Sequence, residues 1–464
     1  MTEQNENSLN KEYDEYMTRR YESKIIYGNL KIVIDQEVTN LRFLEKLDIS
    51  TLNLYISSDT SVWLRSNTLK KLTVLNYMDS DAEQQNRLNL NVDNLELENL
   101  EVLDLEDIKL VNGQLYNLAK FKKLHTLNAS KNKVDLTHIH VVTSLTSLDM
   151  QGCGLMNVDQ ISSLINLKEL NLSLNRDMDL SQLWQVRSLT KLSMASCGLK
   201  NTDQIERLIN LEFLNLASNQ LFTINSVGLL VNLKELNISF NKQIDITPLK
   251  YLTGLIKLNM SCCELIQVSA LKPLINLQTL DLYANHYINV SELQYLKNLK
   301  YLNLYNCDLV SIYVLRPLVN LKELDIAHNN ILYLDENLNE MKKLKTLRVE
   351  TNPVSDFSSL EKHPNYNNLE INSQKYINIF NQTEEPSKNE VRKAQQLKHI
   401  ERHNLQLKEI ILKQIQNQHK SLQTALDNLK QEIIATINNT RQRQIQFTAK
   451  IVHIFQYFNQ VGFE

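Results

Sequence analysis

A chain of 464 residues with 50 Lys or Arg against 53 Asp or Glu, and a formal net charge of −3, carries no general attraction for nucleic acid or a membrane surface. Only 8 Gly and 6 Pro punctuate it, few for its length, which argues against an architecture of long loops. It nowhere contains 18 consecutive apolar residues, so no transmembrane helix is predicted. Five Cys, an odd number, argue against a paired disulfide framework and suit a reducing compartment.

In chain order, residues 1–40 read as a polar amino-terminal segment and the start of a cap, with no apolar core of the secretory kind. Residues 41–99 read as irregular first coils. Strand-like pieces at 31–34, 52–56 and 69–75 are unevenly spaced, as expected of a terminal unit that must keep one polar outer side. From 100 to 371 the chain becomes periodic. Units of 24 and 21 residues open at Leu100 and Leu124, and from Leu145 a 22-residue unit recurs without insertion at Leu167, Leu189, Leu211, Leu233, Leu255, Leu277, Leu299 and Leu321. A fixed period of this length overrides the prior of about three compact domains, because it sets the architecture before any single residue is interpreted.

Each unit reads Leu-x-x-Leu-x-(Leu/Ile/Met)-x-x-(Asn/Cys). The step of two between Leu302 and Leu304 predicts an extended strand with both side chains on one face. Further along the same unit, Ile312, Leu315 and Leu318 fall three apart, which is helical or 3₁₀ spacing. One unit cannot bury this stripe alone, so stacked units must share a continuous core. Position nine is Cys153, Asn175, Cys197, Asn219, Asn241, Cys263, Asn285, Cys307 and Asn329. It calls for a small inward group that hydrogen-bonds the backbone where it leaves the strand. The unit opening at Leu100 departs from this, with Ile108 in that place.

On these residues the chain resembles a leucine-rich repeat protein of the short, 22-residue class found in internalin-like proteins and in the regulatory subunit of type 1 protein phosphatase. The resemblance implies an α/β fold: a right-handed solenoid with a concave parallel β-sheet, used chiefly to bind proteins. Residues 372–387 read as a polar linker broken by Pro386, and 388–464 as an α-helical tail, coiled coil in part, with 12 Lys or Arg against 6 Asp or Glu from Ser387 onward. That balance of +6 leaves −9 for the rest. Apolar residues at three-four spacing across 405–433 open three roles for the tail: self-association, packing against the solenoid or itself, and docking of a second partner.

If Leu302 and Leu304 face the core, positions three, five and seven of each unit project from the concave sheet. Position three supplies Phe213, Glu235, Lys257, Tyr301 and Glu323; position seven supplies Tyr283 and Tyr305 among mostly small residues. These seven side chains are the candidate partner-binding set. The aromatic ones serve either as interface anchors or as covers for neighbouring strands. Position five, nearly all Asn, Asp or Ser, reads as a surface hydrogen-bond ladder. The acceptor sequences at Asn171, Asn237 and Asn259 lie on that face, where glycans would obstruct it, so a cytoplasmic location is expected.

Enzymatic readings are weak. The glycines supply neither a phosphate loop nor Gly-x-Ser-x-Gly. His138 and His140 lack a Cys or carboxylate framework for a metal, and Cys262 and Cys263 with His286 form a poor nucleophile and base. No cofactor, metal or catalytic residue is expected. The sequence therefore predicts a non-enzymatic protein-protein interaction scaffold whose partner it does not identify. The alternatives are a regulatory subunit of a phosphatase-like enzyme and a basic tail binding nucleic acid or an anionic membrane, the latter disfavoured because its charges are dispersed among Gln.

Overall fold

The computed structural model describes residues 16–17, 29–34, 40–56, 62–76, 90, 92–334, 336–354 and 357–372. The chain divides into units 1–377 and 378–464, and every described residue belongs to the first. The helical tail at 388–464, its coiled-coil stretch at 405–433 and the linker beyond residue 372 lie outside the described residues.

Sixteen strands form one sheet whose order follows the chain, with three interleaved strands near the amino terminus going to a second sheet; every neighbouring pair is parallel, as where Leu280 is level with Leu302 and Leu302 with Leu324. Between Ser147–Asp149 and Glu323–Asp325 successive strands start 22 residues apart. The repeating unit is therefore one coil of a solenoid, and equal spacing puts equal positions side by side. Position four, for example Leu148, Leu236 and Leu302, is 1–2 % exposed, and position six, for example Leu216 and Leu304, is 0 % exposed. Burying a Leu of this kind contributes about 1.5–3 kcal/mol, but only while neighbouring coils cover it.

The return side of the coils is built mostly from short 3₁₀ turns such as Ile161–Ser163 and Tyr313–Leu315, not α-helices. The physical reason is length. After the strand and its turn, too few of the 22 residues remain for an α-helix, whereas 3₁₀ geometry rises about 2 Å per residue and eclipses side chains three apart, which places Ile312, Leu315 and Leu318 in the core. The α part of the expected α/β class is thus corrected for the solenoid.

The amino-terminal coils are more regular than their spacing suggested. Asn29–Ile34, Thr51–Ile56 and Lys71–Asn76 are six-residue strands that open the main sheet. Asn40–Leu41, Trp63–Arg65 and Leu95–Glu96 form a second, three-stranded sheet. At the other end Glu370–Asn372 pairs with Thr346–Arg348 and closes the series. Fifteen steps of about 4.8 Å make the sheet roughly 70 Å along its ladder, longer than a dozen coils would give.

Candidate functional site

The concave face is shaped by what happens at the end of each short strand. Position eight is left-handed in coil after coil, at Gly152, Leu174, Ser196, Ser218, Phe240, Cys262, Ala284, Asn306 and His328. A non-glycine residue there costs about 1–2 kcal/mol. The turn offsets this by aiming the position-eight N–H at the position-seven carbonyl of the next coil: Ala284 N donates to Tyr305 O at 2.9 Å and His328 N to Glu350 O at 2.8 Å. The ladder therefore runs two residues beyond the formal strand, and position seven remains part of the concave face.

Position five supports the same turn. Asp281 Oδ1 accepts from Tyr283 N at 2.9 Å, Asn303 Oδ1 from Tyr305 N at 3.0 Å and Asp325 Oδ1 from Ala327 N at 3.1 Å. Asn237 and Asn259 do likewise. Position nine seals the turn from inside. Asn285 is 0 % exposed; its Nδ2 donates to Met260 O and Leu282 O, and its Oδ1 accepts from Cys263 N and Leu265 N. Asn175, Asn219, Asn241 and Asn329 bridge adjacent coils similarly. Cys153, Cys197, Cys263 and Cys307 take the same place with fewer bonds, each Sγ donating at 3.2 Å to a position-six carbonyl of the preceding coil. Burial pushes the Cys153 thiol up to about 11 and those of Cys263 and Cys307 to about 12, so they stay protonated donors. Ile108 is buried without this bond, and the regular pattern begins one coil later, where Asn132 Nδ2 donates to the Leu105 carbonyl.

With the turns fixed, the candidate side chains fall into two groups. In the amino-terminal half of the face charges cancel across neighbouring coils: Lys191 pairs with Glu169, and Lys257 Nζ lies 2.8 Å from Glu235 Oε1. Glu235 and Lys257 are therefore partners of each other, which their separate positions in the sequence did not suggest. Phe213, expected to stand exposed, is half-buried. It lines a shallow trough of about 540 Å³ with Glu169, Asn171, Lys191, Glu212 and Glu235.

In the carboxy-terminal half the aromatic residues dominate. The rings of Tyr283 and Tyr305 stack with centroids 5.1 Å apart and planes at 27°, and His328 lies 4.5 Å beyond Tyr305 at 34°. Tyr305 is thus sandwiched. Tyr301, 38 % exposed, sits at position three, about 13 Å along the strand from position seven. No ring pair joins it to the stack among the described residues, and the third ring of the stack is His328. Strand alternation stops at position seven and could not reveal a position-eight ring. Glu323 makes no ion pair among the described residues. Burial raises the carboxyls of Asp281 and Asp325 above their ordinary range. Glu350 at position seven of the following coil has a buried Oε2 with no hydrogen-bond partner among the described residues.

The weak enzymatic candidates are not assembled into sites. His138 packs edge-on against Tyr116, and His140 Nδ1 lies 3.0 Å from the Leu136 carbonyl. His286 Nδ1 contacts Asp308 Oδ2 at 3.2 Å, while Cys263 is bonded inside the core. No group of three or more metal-ligating side chains occurs among the described residues.

Comparison with known proteins finds likeness in structure. No family model matches the chain, and no curated protein does. Among solved structures, a Leptospira interrogans leucine-rich repeat protein is similar at 24% identity and TM-score 0.57, over 74% of this chain and 95% of that one. The functional domain of InlJ from Listeria monocytogenes, which includes a cysteine ladder, is similar at 22% identity and TM-score 0.53, over 74% of this chain and 72% of that one. An internalin, InlF, from Listeria monocytogenes is similar at 20% identity and TM-score 0.52, over 59% of this chain and 86% of that one.

Proposed function

Since the chain has the leucine-rich repeat fold of the internalin-like type, we propose that it is a non-enzymatic interaction scaffold that binds a protein through the concave face of its solenoid. The observation that carries this reading is the stack Tyr283, Tyr305 and His328 on an in-register parallel sheet. Rings held by neighbours have little freedom left to lose, so a partner that covers them gains contact area at low entropic cost. In this reading the protein works in the cytoplasm, a placement supported by its free thiols, all but Cys262 fully buried, and by Asn171, Asn237 and Asn259, whose side chains brace the sheet turns. The tail at 388–464 serves self-association or a second docking event.

Affinity purification with the full chain beside a version ending at Asn372 tests the reading. Retention of the main protein partner by the shortened chain is the expected result. Loss of every partner on shortening would move the function out of the sheet. Recovery of a phosphatase catalytic subunit would favour the regulatory-subunit alternative, still through the same face.

A further inference from the structure

The two halves of the concave face differ in charge balance, and the difference states what kind of group the aromatic stack would receive. Across coils 145–276 positions three, five and seven present Asp149, Glu169 and Glu235 against Lys191 and Lys257, which pair with Glu169 and Glu235. Across coils 277–354 positions three, five and seven present Asp281, Glu323, Asp325 and Glu350 against one cation, Arg348, whose Nη1 stands 4.0 Å from Asp325 Oδ2. These carboxylates are neighbours: Asp281 and Asp325 lie two residues before position seven in coils that flank the Tyr305 coil, and Glu350 is two coils beyond Tyr305 in the same column as the rings, with the small Ala327 between. One oxygen of Asp281 and one of Asp325 are committed to the turn. The turn leaves the second oxygen of Asp281 untaken and that of Asp325 shared only with Arg348, while Glu350, whose Oε2 is buried, contributes its charge.

Aromatic faces and carboxylates together attract a cation and repel an anion. A guanidinium or ammonium gains from the negative face of a ring and from charge-assisted hydrogen bonds to carboxylates, whereas a nucleic acid stacking on the same rings would bring its phosphates against four acids. We propose that Tyr283, Tyr305 and His328, with Asp281, Asp325 and Glu350, form a receptor for a basic side chain of the protein partner, arginine above all because its planar group stacks and forks at once. This deepens the proposed function and rests on it: the concave face must be the binding face for the patch to matter. The ion-paired amino-terminal half of the face then adds contact area, while the carboxy-terminal half sets which partner is accepted.

The test uses the full-length protein and three labelled probes, an octa-arginine peptide, an octa-glutamate peptide and an oligouridine RNA, with affinity read by fluorescence anisotropy. Octa-arginine is expected to bind best. The double variants Y283A/Y305A and D281N/D325N are each expected to weaken it by about tenfold. Asn keeps the Oδ1 acceptor that the turn requires, so D281N/D325N removes charge without removing the fold. Asp159→Asn with Glu206→Gln, which deletes two exposed carboxylates away from the sheet, is expected to change the affinity by less than about twofold. Equal weakening by that control, an unaffected Y283A/Y305A variant, or tighter binding of either anionic probe would overturn the inference. A natural partner lost with Y283A/Y305A but held by D281N/D325N would also overturn it, yet leave the concave-face function standing.

Discussion

Replacing Asn285 by Ala tests whether position nine holds adjacent coils together. The side chain is fully buried and makes four hydrogen bonds between 2.9 and 3.2 Å, two within its own turn region or to the coil before as a donor and two as an acceptor from Cys263 N and Leu265 N. Alanine removes all four and leaves two buried N–H groups and two carbonyls competing for what remains. At about 1 kcal/mol for each lost bond, and more for any buried group left unpaired, the loss is about 4 kcal/mol or greater, a large fraction of the ~5–15 kcal/mol that stabilises a typical domain. Cys307→Ala is the internal reference. Its Sγ donates to Leu282 O at 3.2 Å and to Tyr305 O at 3.6 Å, so its loss is about 1 kcal/mol plus a small cavity. Asn285→Asp keeps the acceptor but turns a charge toward two carbonyls and is expected to be at least as harmful as alanine. Urea unfolding followed by circular dichroism gives the midpoints and slopes. The reasoning fails if Asn285→Ala is within about 1 kcal/mol of the natural protein, or milder than Cys307→Ala.

Further outcomes follow from packing, exposure and titration. Gly228→Ala places a Cβ 2.9 Å from Pro248 Cβ and 3.1 Å from the Pro248 carbonyl, which a proline backbone cannot yield, so a loss of about 1–3 kcal/mol is expected; Gly113→Ala meets nothing within 4 Å and is expected to stabilise slightly, both read from the same unfolding curves. Thiol labelling of the native protein at pH 8 should modify Cys262 first, because it is the one cysteine not fully buried, and Cys262→Ala should abolish the fast phase. Burial raises the thiols of Cys153, Cys263 and Cys307 from 9.0 to about 11, 12 and 12; a raised folded value means that the unfolded chain gives up its protons first. The stability linked to these thiols is therefore complete below about pH 9 and is lost as pH rises toward 11–12. A fourfold Cys-to-Asn replacement in that column should flatten this alkaline decline, measured as the unfolding midpoint against pH.

The solenoid was legible because each core position recurs at a constant interval: Leu148 to Leu324 fix the strand column, and the Asn/Cys series fixes the turn, from residue identity alone. The left-handed position eight was not legible. It holds Leu174, Phe240 and Ala284 as readily as Gly152, because the ladder between coils imposes the conformation and the local residue merely tolerates it. The Glu235–Lys257 pair was hidden for a different reason. Its members are 22 residues apart, and only reading position three down the column, with opposite charges in adjacent units, would have found it. The first three strands were blurred by unequal intervals in the sequence, although their alternation of apolar residues was present. His328 was missed because it belongs to the turn and reaches Tyr305 only after the backbone has left the strand.

The most direct check on the concave face is a paired affinity measurement with the partner recovered by the full chain. Tyr283→Ala with Tyr305→Ala removes the stacked rings, and Tyr251→Ala with Tyr313→Ala removes two tyrosines, each 60 % exposed, from the 3₁₀ turns on the return side. A fall in affinity of about tenfold or more for the first pair, with less than about twofold for the second, is the result expected. Equal affinities for the first pair and the natural protein, or a larger loss from the return-side pair, would contradict it.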